Sequence, residues 1–343
     1  MKLQCTEKEQ IAGKGKAIEV KNLEVRFPVR SGLFRRETAV VRAVDGVTFD
    51  VVEGETVGLV GESGSGKTTT GRSLLGLAPA IPGSVRLFGR SLEELMNSRH
   101  DLQKIGQLVF QDPFASLNPR LAIGAAISEA LYVHGMKDKS ARHERMFELL
   151  DQVGLRPETA TRYPVALSGG QRQRVAIARA LAVEPRIMIL DEVVSALDVS
   201  IQGQILNLLM DLQKTQKLSF LFITHDLSVV RYVSHRVVVM YRGCLMEEGE
   251  TESVFRNPKH PYTHSLLSAV PVPNPATQRF KRKMQIRVEA HNLTSVTVGC
   301  RFQGSCPHAD DLCRNQEPEI LEVSRRHRVA CHHWAKIPDF SVG

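Results

Sequence analysis

The chain has 343 residues, enough to bury a full core and to hold one large domain beside a smaller one. Lysine and arginine exceed aspartate and glutamate by 45 to 37, but the excess sits in residues 1–43 (ten basic, five acidic) and 271–343 (eleven, seven), leaving 24 against 25 between them. The main domain therefore lacks the basic surplus typical of nucleic-acid binders, and no run approaches the roughly 20 apolar residues that span a bilayer.

Met1-Lys2-Leu3-Gln4-Cys5-Thr6 has no apolar signal-peptide core, so a soluble, intracellular protein is expected. Residues 1–16 read as a tail. Ile18 and Val20, then Leu23, Val25 and Phe27, alternate as in a half-exposed strand. A basic, turn-rich insert runs from Arg30 to Arg36, and Phe34 within it is a candidate to stack on an adenine ring. Val47–Val51 is a second alternating strand, so the chain opens as an antiparallel pair.

Thr56–Val60 reads as a short buried strand, followed by Gly61-Glu62-Ser63-Gly64-Ser65-Gly66-Lys67-Thr68 and then Thr69. This fits the phosphate-binding P-loop G-x-x-x-x-G-K-[ST]. Glycines let backbone N–H groups turn onto phosphate oxygens, Lys67 reaches the β- and γ-phosphates, and Thr68 offers its hydroxyl to Mg²⁺. The helix expected from Thr69 onward points its positive end at the same anion. ATP and Mg²⁺ are the expected ligands.

Val85 and Leu87 mark another strand, and Ser91-Leu92-Glu93-Glu94 is a capping box opening a helix. Gly106–Phe110 reads as a buried strand ending on Gln111, whose amide is placed to reach a metal or water. Pro113 and Pro119 break the chain, and Ala122 to about Val153 has helical spacing. Leu167-Ser168-Gly169-Gly170-Gln171 forms a second capping box, with two glycines at a helix start. Ile187–Leu190 is a buried strand ending in Asp191 and Glu192; Asp191 suits the Mg²⁺ shell and Glu192 suits the attacking water. Ser195–Asp198 follows, then a helix capped by Ser200, then a strand, Ser219–Ile223, ending at Thr224-His225-Asp226. His225 stands at the C-terminal edge of that strand, where parallel sheets place their ligands.

Taken in order, these motifs resemble the nucleotide-binding domain of ABC transporters over residues 17–258, with a helical subdomain at about 112–165. The resemblance implies an α/β P-loop NTPase with a RecA-like core, an antiparallel β subdomain and a helical subdomain. It implies a Q-loop at Gln111 serving both Mg²⁺ and catalysis, a Walker B Asp191, catalytic Glu192 and a switch His225. It also implies a D-loop with Asp198 and an LSGGQ signature. Ser168, Gly169, Gly170 and Gln171 then act in trans on a partner's nucleotide. Val193-Val194 departs from the Pro-Thr or Pro-Val usual after the catalytic glutamate, which loosens the expected turn but removes no catalytic group.

Cys300, Cys306, Cys313 and Cys331 are separated by five, six and seventeen residues, unlike the C-x₂-C pairs of common zinc sites. Four thiolates in a reducing compartment suit an iron–sulfur cluster or zinc, and buried metal-free cysteines are the third option. Asn257–Thr263 and the cysteine run resemble the C-terminal extension, here 259–343, of oligopeptide/dipeptide-type importer ATPases. Val288–Val298 replaces the Pro-rich linker usual before the first cysteine. The resemblance implies a four-iron–four-sulfur cluster. The basic insert before Ala43 looks like that of the second of two ATPase subunits, a peripheral protein on the cytoplasmic face of the inner membrane. The implied partners are a companion ATPase in a heterodimer, two permease subunits and, indirectly, an external solute-binding protein, with no nucleic acid. Peptides lead as solute, with nickel, glutathione, opines and saccharides as alternatives. A soluble ABC protein of translation or DNA repair is the rival from another class; it usually carries two P-loops or a long coiled coil, and neither is present.

Overall fold

The computed structural model describes residues 15–31, 36–112, 116–270 and 298–337. Phe34, Pro113, most of the 1–16 tail and all but the last residue of Val288–Val298 lie outside them. In chain order the strands are β1 (Lys16–Ser31), β2 (Arg36–Val52), β3 (Thr56–Val60), β4 (Val85–Leu87), β5 (Arg90–Ser91), β6 (Gly106–Val109), β7 (Ile187–Asp191), β8 (Ser219–Ile223), β9 (Arg236–Tyr241), β10 (Cys244–Glu250), β11 (Leu321–Ser324) and β12 (His327–Val329). The chain divides into two units. One holds Met1–Ala17, Val51–Glu55 and Leu87–Leu221; the other holds Ile18–Asp50, Thr56–Arg86 and Phe222–Gly343.

In the first unit, the apolar run Ile187–Leu190 is buried on both faces, as a strand inside a parallel sheet must be. β7 pairs in parallel with β6, from Gly106 opposite Ile187 to Val109 opposite Leu190. Both strands therefore end together, and the loops that leave them emerge at one edge. The single helical stretch expected from Ala122 to Val153 is two helices, Ile123–Val133 and Lys139–Gln152. Gly135, at φ 107°, breaks them, and Asp138 restarts the second by accepting from the Ala141 N–H at 2.7 Å. The helix after the D-loop also starts earlier than expected. Asp198, not Ser200, is its N-cap, because the Ile201 and Gln202 N–H groups already bond the Asp198 carbonyl.

In the second unit, β3 pairs in parallel with β9, Val57 opposite Arg236 through Val60 opposite Val239. β9 pairs antiparallel with β10, and β10 with β12. β1 and β2 are longer than the alternating bursts at 18–27 and 47–51, running into the insert from both sides. The C-terminal hairpin of β11 and β12 thus extends the edge of the sheet that carries the P-loop strand. The join is polar and buried. Glu247, fully buried, accepts from the Lys259 N–H (2.6 Å), the His260 N–H (3.0 Å) and His327 Nε2 (2.7 Å). Glu248 pairs with Arg236 and Arg328. Removing one partner of such a buried pair costs about 3–5 kcal/mol, so these contacts hold the C-terminal segment in register.

Candidate nucleotide site and cysteine cluster

The loop after β3 needs its glycines for space as well as torsion. Gly61 has φ 151° and a Cβ there stands 2.1 Å from the Met240 carbonyl; Gly66 has φ 100° and a Cβ 2.3 Å from the Ala43 carbonyl. Gly64, at φ 80°, meets nothing within 4 Å. Ser63 and Gly64 are exposed at the loop tip, while Thr68 and Thr69 are half-buried at the start of the helix Lys67–Leu74. That helix begins at Gly66 without a side-chain cap, the arrangement a bound phosphate completes. Lys67 is buried, and its Nζ donates to the Gly61 and Glu62 carbonyls, both at 2.7 Å, and to Ser65 Oγ at 3.3 Å. Burial raises the Glu62 carboxyl above its usual range, against the pull of Arg242 and Lys67. The Lys67 ammonium is thus held inside its own loop.

The second set of residues gathers where β6 and β7 end. Gln111 Nε2 donates to Glu192 Oε2 at 2.8 Å, so the strand pairing brings the amide and the carboxylate into contact. Asp191 is buried on the last position of β7. Glu192 is half-buried and holds φ 50°, a left-handed conformation that costs a residue with a Cβ roughly 1–2 kcal/mol. Such strain persists where neighbours over-determine it. Here the Ser195 N–H and Oγ both donate to the Glu192 carbonyl, at 3.2 and 2.9 Å. Val193 and Val194 are buried, and Gln202 Nε2 donates to the Val194 and Leu197 carbonyls at 3.1 and 3.0 Å. That amide fixes the turn that the missing proline leaves open. Gln202 carries no motif, and only the helix register after Asp198 points to it. Asp198 itself is exposed.

The signature loop forms its capping box: Ser168 Oγ accepts from the Gln171 N–H at 3.3 Å, and Gln171 Oε1 accepts from the Ser168 N–H at 3.1 Å. Ser168 is exposed. A Cβ on Gly170 stands 2.5 Å from Ile201 Cγ2, and one on Gly169 3.2 Å from Leu197 Cδ2. Close packing on the helix Val199–Gln216 therefore requires the second glycine. In the other unit, His225 is exposed between buried Thr224 and half-buried Asp226. Asp226 caps the next helix through the Ser228 N–H (2.8 Å), and its own N–H donates to Thr224 Oγ1 (3.0 Å), which sets the turn carrying the histidine.

The four C-terminal cysteines are free thiols; Cys300, Cys313 and Cys331 are buried and Cys306 half-buried. The Cys300 N–H donates to the Cys313 carbonyl at 2.8 Å. Burial, with smaller contributions from neighbouring thiols of the quartet, pushes Cys331 up to about 12 and Cys300 to about 11. Cys306 and Cys313 are raised chiefly by burial as well. Cys300 and Cys313 lie in one apolar cluster, with Cys306 packed against it. Sequence reasoning missed Asp310 and His333, which lie with Cys313 in a group whose ligand atoms are all within 4.8 Å of one another. Asp310 caps Cys313 by accepting its N–H at 3.1 Å and pairs with His333 Nε2 at 2.9 Å. The Cys313 N–H bond, then His333, hold the Asp310 carboxyl down at about 2. The runs Asp310-Asp311-Leu312-Cys313 and Cys331-His332-His333 carried that signal.

A P-loop backed by a buried strand, a carboxylate pair closing a parallel strand and a capped LSGGQ helix together define an ATP-binding cassette ATPase. The ABC transporter family matches residues 44–195, and the family "Oligopeptide/dipeptide transporter, C-terminal region" matches residues 246–313. The oligopeptide transport ATP-binding protein AppF of Bacillus subtilis (strain 168) is 45% identical over 320 residues, covering 93% of this chain and 97% of that protein. The glutathione import ATP-binding protein GsiA of Escherichia coli (strain K12) is 49% identical over 291 residues, 82% of this chain, which spans 47% of GsiA. Among solved structures, CbiO1 from Clostridium perfringens, part of the transporter complex CbiONQ, aligns with TM-score 0.61 and 25% identity over 71% of this chain and 91% of that one. The cassette MJ0796, as a dimer in a post-hydrolysis state bound to ADP and Pi, aligns with TM-score 0.59 and 29% identity over 68% and 98%. The chain belongs to the ABC transporter ATPases, as an ATP-binding subunit of the oligopeptide importer type.

Proposed function

We propose that this chain hydrolyses ATP to energise an importer of oligopeptides or a related small solute such as glutathione. Lys67 and the loop Gly61–Thr69 hold the phosphates, Thr68, Gln111 and Asp191 serve Mg²⁺, and Glu192 orients and deprotonates the attacking water. His225 acts at the γ-phosphate. The observation that carries this reading is the Gln111–Glu192 hydrogen bond of 2.8 Å at the shared end of two parallel strands. It puts a carboxylate, aimed by an amide, where such sheets do their chemistry.

The chain works opposite a companion ATPase, each LSGGQ helix, with Ser168 to Gln171 and the neighbouring Asp198, closing on the other's nucleotide. The pair sits peripherally beneath two permease subunits on the cytoplasmic face of the inner membrane, served by an external solute-binding protein. The dimeric MJ0796 cassette supports the pairing, and AppF and GsiA support the solute class. No helix among the described residues is long and apolar enough to cross a membrane, in keeping with separate permeases. Affinity purification from membranes tests this: two permeases and a second ATPase should accompany the chain, whereas ribosomes or DNA contradict it.

We assign the cysteine quartet to a four-iron–four-sulfur cluster on the chemistry of its four thiols. A single tetrahedral zinc brings its sulfurs within roughly 4 Å of one another. Among the described residues, the group that meets a 4.8 Å limit includes one cysteine of the four. Four thiols suit a polynuclear cluster, which would supply a covalent staple to a segment with few apolar residues. Anaerobically purified protein should contain about four irons per chain, lost in Cys306→Ser; stoichiometric zinc contradicts the assignment.

A further inference from the structure

The motif His260-Pro261-Tyr262 starts a helix, Pro261–Ala269, and aims one side chain out of it. Pro261 occupies the first helical position, where no N–H is needed. His260 is the cap: its Nδ1 accepts from the Tyr262 N–H at 3.0 Å, which fixes where the tyrosine points. Tyr262 is fully buried, and its hydroxyl accepts from the Glu62 N–H at 2.9 Å. Glu62 is the second residue of the phosphate loop. Its carbonyl meanwhile accepts from Lys67 Nζ at 2.7 Å. One peptide segment of the loop is thus held at its N–H by Tyr262 and at its carbonyl by the lysine that must leave it when phosphate arrives.

We propose that Tyr262 is a positioning residue for nucleotide binding. Its hydroxyl anchors the entry of the phosphate loop, so that Lys67 turns to the phosphates while the loop stays in place. The anchor is itself braced by the C-terminal segment. The ring of Tyr262 lies 4.6 Å from Tyr241 and 5.4 Å from Phe302, and Phe302 lies 5.3 Å edge-on from Tyr241. Phe302 is two residues beyond Cys300 and buried in the same apolar cluster as Val60, the last residue of β3. The cysteine-bearing turn therefore backs the tyrosine that holds the loop.

The test uses the full chain in its assembled transporter. Tyr262→Phe removes the hydroxyl and keeps the ring. KM for ATP should rise about tenfold, the scale of one lost hydrogen bond, with kcat within about twofold of wild type. The nucleotide-free melting temperature should stay within a few degrees. Phe302→Leu, which keeps the hydroxyl and loosens its backing, should raise KM by a smaller factor of about three. A merely structural tyrosine predicts the opposite split, a lowered melting temperature with KM unchanged, and that result overturns the proposal. So does a fall in kcat at constant KM. If Tyr262→Phe yields no folded protein, Phe302→Leu decides, and an unchanged KM there is equally fatal. Failure of the wild-type protein to bind ATP refutes the ATPase reading instead.

Discussion

Gly66→Ala is the sharpest probe of the phosphate loop, because the structure fixes its cost. The new Cβ stands 2.3 Å from the Ala43 carbonyl oxygen, while real Cβ contacts essentially never fall under 3.0 Å. The loop or the facing backbone must therefore open by about 0.7 Å, and a carbonyl cannot swing aside as a side chain does. Overpacking of this kind costs roughly 1–3 kcal/mol, and an L-residue at positive φ adds about 1–2. The sum is about 2–5 kcal/mol. Gly64→Ala is the internal control: its φ is also positive, but its Cβ meets nothing within 4 Å, so only the torsional part remains. Thermal melting without nucleotide should rank wild type above Gly64→Ala above Gly66→Ala, with a loss on the order of 10 °C for the last. Titration with a fluorescent ATP analogue should show the same order, with Gly66→Ala weakened at least tenfold, since a displaced loop no longer matches the phosphates. Equal affinity and melting for the two variants would show that the Ala43 carbonyl does not constrain Gly66.

Two further outcomes rest on named contacts. Burial, opposed by Glu247 and assisted by nearby His264, depresses His260 to about 4, so its Nδ1 stays unprotonated to cap Tyr262. Its stabilising effect is complete above about pH 6.5 and is lost as pH falls toward 4, a change of about 3 kcal/mol; His264, also lowered by burial, adds in the same direction. Melting curves from pH 7 to 4 should be flatter for His260→Asn, which keeps an acceptor, and coincident curves contradict this. Ser168→Arg, at an exposed helix cap, should abolish turnover at the companion's nucleotide while this chain's own ATP affinity is unchanged. Loss of its own affinity instead would place the signature in cis.

The nucleotide motifs were legible because each is local. Val57 to Val60 and Ile187 to Leu190 are apolar runs bounded by turn residues, and both are buried strands. The Ser91 and Ser168 capping boxes form as their spacing implies. The features that escaped depend on contacts across long stretches of chain. Only helix register, and no motif, marks residue 202 as the amide that fixes the turn behind Glu192, and nothing near residue 262 announces a partner 200 positions earlier. The left-handed torsion at Glu192 is imposed by its surroundings rather than by residue type. Ser200 is a good cap by composition, yet Asp198 takes the role because helical bonding begins there. The Ala122–Val153 stretch reads as continuous because apolar spacing persists across Gly135, where the backbone turns.

If Glu192 drives hydrolysis while the loop around Lys67 binds ATP, Glu192→Gln must separate the two. The direct measurement is ATP affinity and single-turnover hydrolysis by the assembled transporter carrying Glu192→Gln. The amide retains an oxygen to accept from Gln111 Nε2, so the local geometry survives while the base is lost. Affinity should stay within about threefold of wild type, and hydrolysis should fall by about 10²–10⁴, leaving ATP trapped in a closed dimer. Wild-type turnover in that variant, or loss of ATP binding in place of turnover, contradicts these roles.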